Sequence, residues 1–198
     1  MDEEHLFKDR KAWAKWLKQH HVGSTAVWLH LGKKGSAEKM VNYADALEVA
    51  LCFGWIDGQK KPFNEHQFLQ RFTPRGPKSM WSKINKEKAA ALIESGLMQP
   101  AGLTAVERAK ADGRWAAAYS GSRTIEVPAD LQAALDDVPK ALTFFKTLNS
   151  QNRYAILFRI GNVKKVETRA KKIKIYVEML RKGETFYPQK KAGLPPSF

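Results

Sequence analysis

Arg71, Arg75 and Lys78 fall within the stretch QRFTPRGPKSMWSKIN, residues 70–85, among two prolines and a glycine and just ahead of a serine able to cap a helix. Guanidinium groups take planar oxyanions through paired N–H bonds. A helix start adds unpaired backbone N–H groups and a partial positive charge, which stabilise carboxylate or phosphate. These residue types in this order suit an anion clamp made by Arg71, Arg75 and a helix start at Ser79 or Ser82. Trp55 and Trp81 supply aromatic walls, and Asp57 can select a donor on the ligand or orient an arginine. Asn85, three residues after Ser82, falls on the same helix face. A plainer reading of the same residues stands beside the clamp. Asp57 and Arg71 make an ordinary cross-strand ion pair, worth under about 1 kcal/mol if exposed. Trp81 plugs the core where helix meets sheet, and Arg75 satisfies carbonyls of a proline-stiffened turn.

Asp57 is the one carboxylate of this block able to act as acid or base. A single carboxylate without a metal or partner base is a weak catalytic device, so the residues leave open whether any reaction is catalysed. The chain has no HExxH, no paired-cysteine zinc spacing, no Walker loop, no GxGxxG and no GxSxG. Its five histidines are scattered, and His20 and His21, being adjacent, cannot share a helix face. They are expected as surface or packing residues, so no metal and no cofactor is expected. The single cysteine, Cys52, excludes an intramolecular disulfide and sits in the apolar stretch EVALCFGW, where a thiol behaves as a small buried hydrophobe.

The elements that must position these side chains can be read from pattern. Residues 1–21 read as one helix, with Leu6, Trp13, Trp16, Leu17 and His20 on a face and Gly23 as its stop. A strand is expected from about Thr25 to Leu31. A second helix follows the N-cap Asn42, with Asp45 at its third position and Gly54 at its end. The segment WIDGQKKPFNEHQFLQRFT reads as a β-hairpin with NEH at its tip. Its register stays open: in one, Asp57 shares a face with Phe72, in the other with Arg71 and Thr73. INKEKAAALIESG and PAGLTAVERAKADG read as helices, the latter with proline in its tolerated first-turn position. WAAAYSGSRTIEVP reads as a linker. After Pro128 the pattern is helical throughout: PADLQAALDD, PKALTFFKTLN, SQNRYAILFRIG with a serine cap, and KVETRAKKIKIYVEMLRKG. The last of these carries Val166, Ala170, Ile173, Val177 and Leu180 along one seam. The tail YPQKKAGLPPSF, rich in proline and lysine, is expected to be flexible.

At 198 residues with 43% hydrophobic composition the chain can bury a core without staples. Its 34 Lys and Arg against 20 Asp and Glu give +14, which argues for attraction to something anionic and says nothing of fold. Nine basic and two acidic residues between Arg159 and Lys182 make nucleic acid the alternative partner, bound through the C-terminal helices. The same helix lying on anionic lipid is a third reading. No run approaches the roughly 18 apolar residues of a membrane span. The charged start MDEEHLFKDR lacks the apolar core of a signal peptide, so a cytoplasmic location is expected.

The stretches ALEVALCFGWIDGQ, QRFTPRGPKSMWSKIN and GLMQPAG, with the N-terminal pattern around WL, HH and VWL and the later PADLQAAL and ETRAKKI, resemble the YdeI/OmpD-associated family, also labelled bacteriocin-protection proteins. The resemblance implies a stress or bacteriocin-protection role and no particular reaction. It marks Gly54, Trp55, Asp57, Gly58, Arg71, Phe72, Pro74, Arg75, Trp81, Ser82 and Asn85 as the family's motif residues, a block of polar and aromatic groups that looks like a pocket. The expected architecture is α+β: a small antiparallel β-sheet packed with helices over residues 1–120, then an all-helical basic C-terminal domain over residues 121–198. The expected ligand is a small anion, phosphate or carboxylate, at Trp55, Asp57, Arg71, Arg75, Trp81, Ser82 and Asn85.

Overall fold

The computed structural model describes residues 2–33, 35, 36, 39–122 and 124–189, and divides the chain into two compact units, Met1–Tyr119 and Ser120–Phe198. The first opens with a short strand, β1 (Glu3–His5), followed by helix α1 (Arg10–His20) and strand β2 (Val27–Gly32). The helix expected from residue 1 therefore starts nine residues later. Asp9 caps it, its Oδ1 accepting the Ala12 N–H at 2.8 Å, while Glu3–His5 pair in parallel with Val27–Leu29. Trp13 and Leu17 face the core, and Leu6, placed on the same helix stripe by periodicity, is 53% exposed.

Helix α2 (Tyr43–Cys52) begins as its cap predicts, with the Asn42 side chain accepting the Asp45 N–H. It ends at Gly54, whose φ of +72° is strained for any other residue and whose missing Cβ leaves room for the Ala101 carbonyl. Strands β3 (Trp55–Pro62) and β4 (Gln67–Pro74) form the expected hairpin, and the sheet runs β1-β2-β4-β3. Three of its strands are antiparallel, and β1 adds a parallel edge. Asp57 pairs with Phe72, then a bulge carries the register to Lys60 opposite Gln70. The buried Gln70 amide donates to the Gly58 and Gln59 carbonyls, so the bulge is filled from within. Register here is set by that bulge together with a four-residue loop, in which Asn64 Oδ1 accepts the His66 and Gln67 N–H groups.

Helices α3 (Lys83–Glu94) and α4 (Pro100–Ala111) complete the unit. Gly102 lets α4 approach the Leu51 and Cys52 carbonyls at the end of α2, a gap that a Cβ would fill. Trp13, Leu17, Leu29, Leu51, Trp55, Phe72 and Trp81 form the buried centre, each contributing roughly 1.5–3 kcal/mol by leaving water. Part of the stretch read as a linker belongs to this unit. Tyr119 pairs with Ser82, its N–H donating to the Trp81 carbonyl and its own carbonyl accepting the Lys83 N–H.

The second unit holds α5 (Ala129–Asp136), α6 (Pro139–Lys146), α7 (Ser150–Gly161) and α8 (Val166–Arg181). Its core is Leu131, Leu135, Phe145, Ile156, Leu157, Ile160, Ile173, Val177 and Leu180. The cap of α7 is Asn149 rather than Ser150: its Oδ1 accepts the Asn152 N–H at 2.9 Å. Of the seam read along α8, Ile173, Val177 and Leu180 are buried, whereas Val166 is 79% exposed. The buried Asn152 amide clasps Tyr187, donating to its carbonyl and accepting its N–H. The rest of the expected flexible tail, residues 190–198, lies outside the described residues.

Candidate functional site

The hairpin and the α3 cap decide which expected site residues meet. Because Asp57 pairs with Phe72, Arg71 points to the opposite face of the sheet. There its Nε donates to Asp2 Oδ2 at 2.7 Å, and the Asp57–Arg71 ion pair does not form. Ser82 caps α3 by accepting the Asn85 N–H at 3.1 Å, and the Lys83 and Lys86 N–H groups are also taken within the chain. That helix start is largely satisfied from inside. Trp55 and Trp81 are 1% and 2% exposed, core side chains rather than open walls. The Trp55 indole N–H donates to the His21 carbonyl.

Arg75 remains, and its surroundings are unusual. It is 7% exposed, and its guanidinium carbon lies over the Trp81 ring, 3.6 Å from the centroid. Trp81 in turn meets Trp115 edge-on. The Arg75 N–H donates to the Gly54 carbonyl and its own carbonyl accepts from Arg108 Nη2, so the backbone is locked on both sides. On the side chain, Nη1 donates to the Met80 carbonyl at 3.2 Å. The other edge is open: among the described residues, Nε and Nη2 have no hydrogen-bond partner, and both are shielded from solvent. A buried donor left unpaired costs about 1–3 kcal/mol, more when charged. Burial draws Arg75 down to about 10, against the opposing pull of Asp57 and Tyr119 and with the aid of Arg114.

Those two nitrogens form the side-on fork of a guanidinium. Three other arginines of this chain use the same pair to hold a carboxylate: Arg114 on Asp112, Arg169 on Asp130 and Arg181 on Glu178. In Arg75 no described residue fills that fork. Asp57, the nearest candidate by its field, instead accepts the Tyr43 hydroxyl on Oδ2 at 2.8 Å. Burial, then Asp57, holds that hydroxyl neutral well above the ordinary phenol range. Burial likewise raises Tyr119, with Asp57 adding to it and Arg75 opposing. The loop that follows Arg75 is tied down by Arg114, whose Nη1 donates to the Ser79 carbonyl.

Tyr43, Arg114 and Tyr119 are therefore members of the site that residue spacing did not single out. A cap at Asn42 places Tyr43 at the first position of α2, a signal that was present, whereas Tyr119 arrives through one bridge to Ser82 that no pattern announces. Trp55 and Arg75 also line a pocket of about 280 Å³ with His21, Gly54, Pro74 and Arg108. Burial raises the Cys52 thiol, which suits packing rather than attack. Among the described residues no cluster of His, Cys, Asp or Glu is placed to hold a metal ion, and no helix is long and apolar enough to cross a membrane. Several basic groups proposed for nucleic acid are engaged within the second unit. Arg169 holds Asp130 and the Ile160 carbonyl, Arg181 and Lys182 hold Glu178, and Arg159 bonds the Ala155 carbonyl and lies over Phe186.

Comparison with known families finds two matches. Residues 5–105 match a family described as a domain of unknown function, DUF8412. Residues 124–183 match the family described as Bacteriocin-protection, YdeI or OmpD-Associated. The motif block from Gly54 to Asn85 thus falls in the first match, and PADLQAAL and ETRAKKI in the second. No curated protein and no solved structure matches the chain.

Proposed function

This chain belongs to the DUF8412 family and carries a YdeI/OmpD-associated C-terminal region, and we propose that it binds a small oxyanion, carboxylate or phosphate, on the open fork of Arg75. The single observation behind this reading is the buried Nε–Nη2 edge without an acceptor, in a chain that fills the same edge with a carboxylate at Arg114, Arg169 and Arg181. An oxyanion there restores two charge-assisted bonds in a site shielded from water, where they are worth more than at a surface. Trp81 holds the guanidinium plane and the Met80 carbonyl fixes its rotation, so the fork is set before the ligand arrives. Both nitrogens are shielded from solvent, so binding requires the groups packed around the fork to move aside.

The test is calorimetry on the full chain with acetate, sulfate and phosphate, comparing wild type with Arg75→Lys. Lysine keeps the charge and loses the planar fork. Binding by wild type and its loss by at least tenfold in Arg75→Lys, with the unliganded melts close together, is expected. Equal binding by both proteins, or by neither, removes the proposal.

A further inference from the structure

A second arginine shares the pocket of Arg75. Arg108 belongs to α4, and its Nη2 donates to the Arg75 carbonyl at 3.2 Å. Both line the pocket of about 280 Å³, together with His21, Phe53, Trp55 and Thr104, and no Asp or Glu is among its described lining residues. Arg108 makes no other hydrogen bond and no ion pair among the described residues, so its Nε and Nη1 are open donors. The acids beside it in sequence, Glu107 and Asp112, are held by Lys110 and Arg114. Two guanidinium groups therefore share one pocket that supplies no counter-charge.

Resting on the oxyanion reading above, we infer that the site takes a phosphate dianion, as free phosphate or a small phosphate monoester, with two oxygens on the Arg75 fork and a third on Arg108. A carboxylate has two oxygens and one charge, and the Arg75 fork uses both oxygens. It leaves Arg108 without a partner and the pocket with a net positive charge. A phosphate monoester has three terminal oxygens and close to two negative charges near neutral pH, so it meets both arginines and balances them. Arg108 is exposed and Arg75 is buried, so the ion is met at the mouth by one and held within by the other. Pro74, Ala101 and Ala105 give the organic group of a monoester an apolar wall.

The experiment is calorimetry on the full chain at about pH 8 with acetate, methanesulfonate, methyl phosphate and inorganic phosphate, where the phosphates are dianions. Acetate offers two oxygens and one charge, methanesulfonate three oxygens and one charge. The better phosphate is expected to bind at least about tenfold tighter than acetate, the effect of one added charge-assisted contact, with methanesulfonate between them. Tighter methyl phosphate assigns the monoester, and tighter inorganic phosphate assigns the free ion. Arg108→Gln should erase the preference for phosphate, while acetate affinity and the unliganded melt stay close to wild type. If that variant folds poorly, NMR of the wild type gives the same answer: the Arg108 Nε–H resonance moves with methyl phosphate and stays in place with acetate. Acetate binding as tightly as both phosphates, a preference that survives in Arg108→Gln, or an Arg108 resonance indifferent to methyl phosphate overturns the inference and leaves the Arg75 site standing. If none of the four anions binds the wild type, the oxyanion site falls and takes this inference with it.

Discussion

At the scale of single residues, the strongest claim concerns two nitrogen atoms of Arg75. Arginine type and position were legible in the stretch QRFTPRGPKSMW, since two guanidinium groups beside a turn suggest anion binding. Which of them is free was not legible. Arg71 and Arg75 are four residues apart, but the alternation of β4 sends Arg71 to the outer face and to Asp2, while the chain turns before Arg75. Glu48 allows a separate check. Lys88 first, then Arg10, hold its carboxyl below the ordinary range. A carboxyl depressed in the fold contributes stability that is complete above its unfolded value of 4.5 and is lost as pH falls through the folded value. Glu48→Gln should therefore flatten the drop in melting temperature between about pH 5 and pH 3, read in parallel acid melts of both proteins.

At the scale of elements, capping chemistry located most helices and failed where pairing outweighed periodicity. Asn42, Ser82, Pro100 and Pro139 each start a helix as their types predict, because local bonds or a fixed φ decide those positions. Glu3–His5 instead joined the sheet, a three-residue parallel pairing too short to leave an alternation in the sequence. The bulge between Asp57 and Lys60 was equally hidden, since the Gln70 amide that fills it is ten residues away along the chain from Lys60. Two expectations belong here. Gly102→Ala should destabilise by about 1–3 kcal/mol, because its methyl meets the Leu51 and Cys52 carbonyls; chemical denaturation measures it. Arg114→Ala should release the Ser79 carbonyl and speed ligand association, seen as a faster change in Trp81 fluorescence after mixing.

At the scale of the whole molecule, the α+β class with a helical C-terminal region was readable from the change of pattern after Pro128. The net charge of +14 was readable too, but charge counts do not say which cations are already paired. Salt separates the two partners that the charge suggested. A small anion on the buried fork of Arg75 should lose only a few-fold in affinity between about 50 and 200 mM salt, because solvent ions screen a covered site weakly. Nucleic acid held by Lys171, Lys172 and Lys174 would lose about 40-fold over roughly the same range. Calorimetry with the small anion and anisotropy with a labelled oligonucleotide measure the two slopes. The central claim has a more direct readout in the arginine side-chain NMR spectrum, recorded during titration with a carboxylate. The Arg75 Nε–H resonance should move and saturate at the affinity found by calorimetry, while those of Arg114, Arg169 and Arg181, whose forks are filled, stay in place. An Arg75 resonance that stays fixed while the anion binds would show that the fork is a structural corner and that the site lies elsewhere.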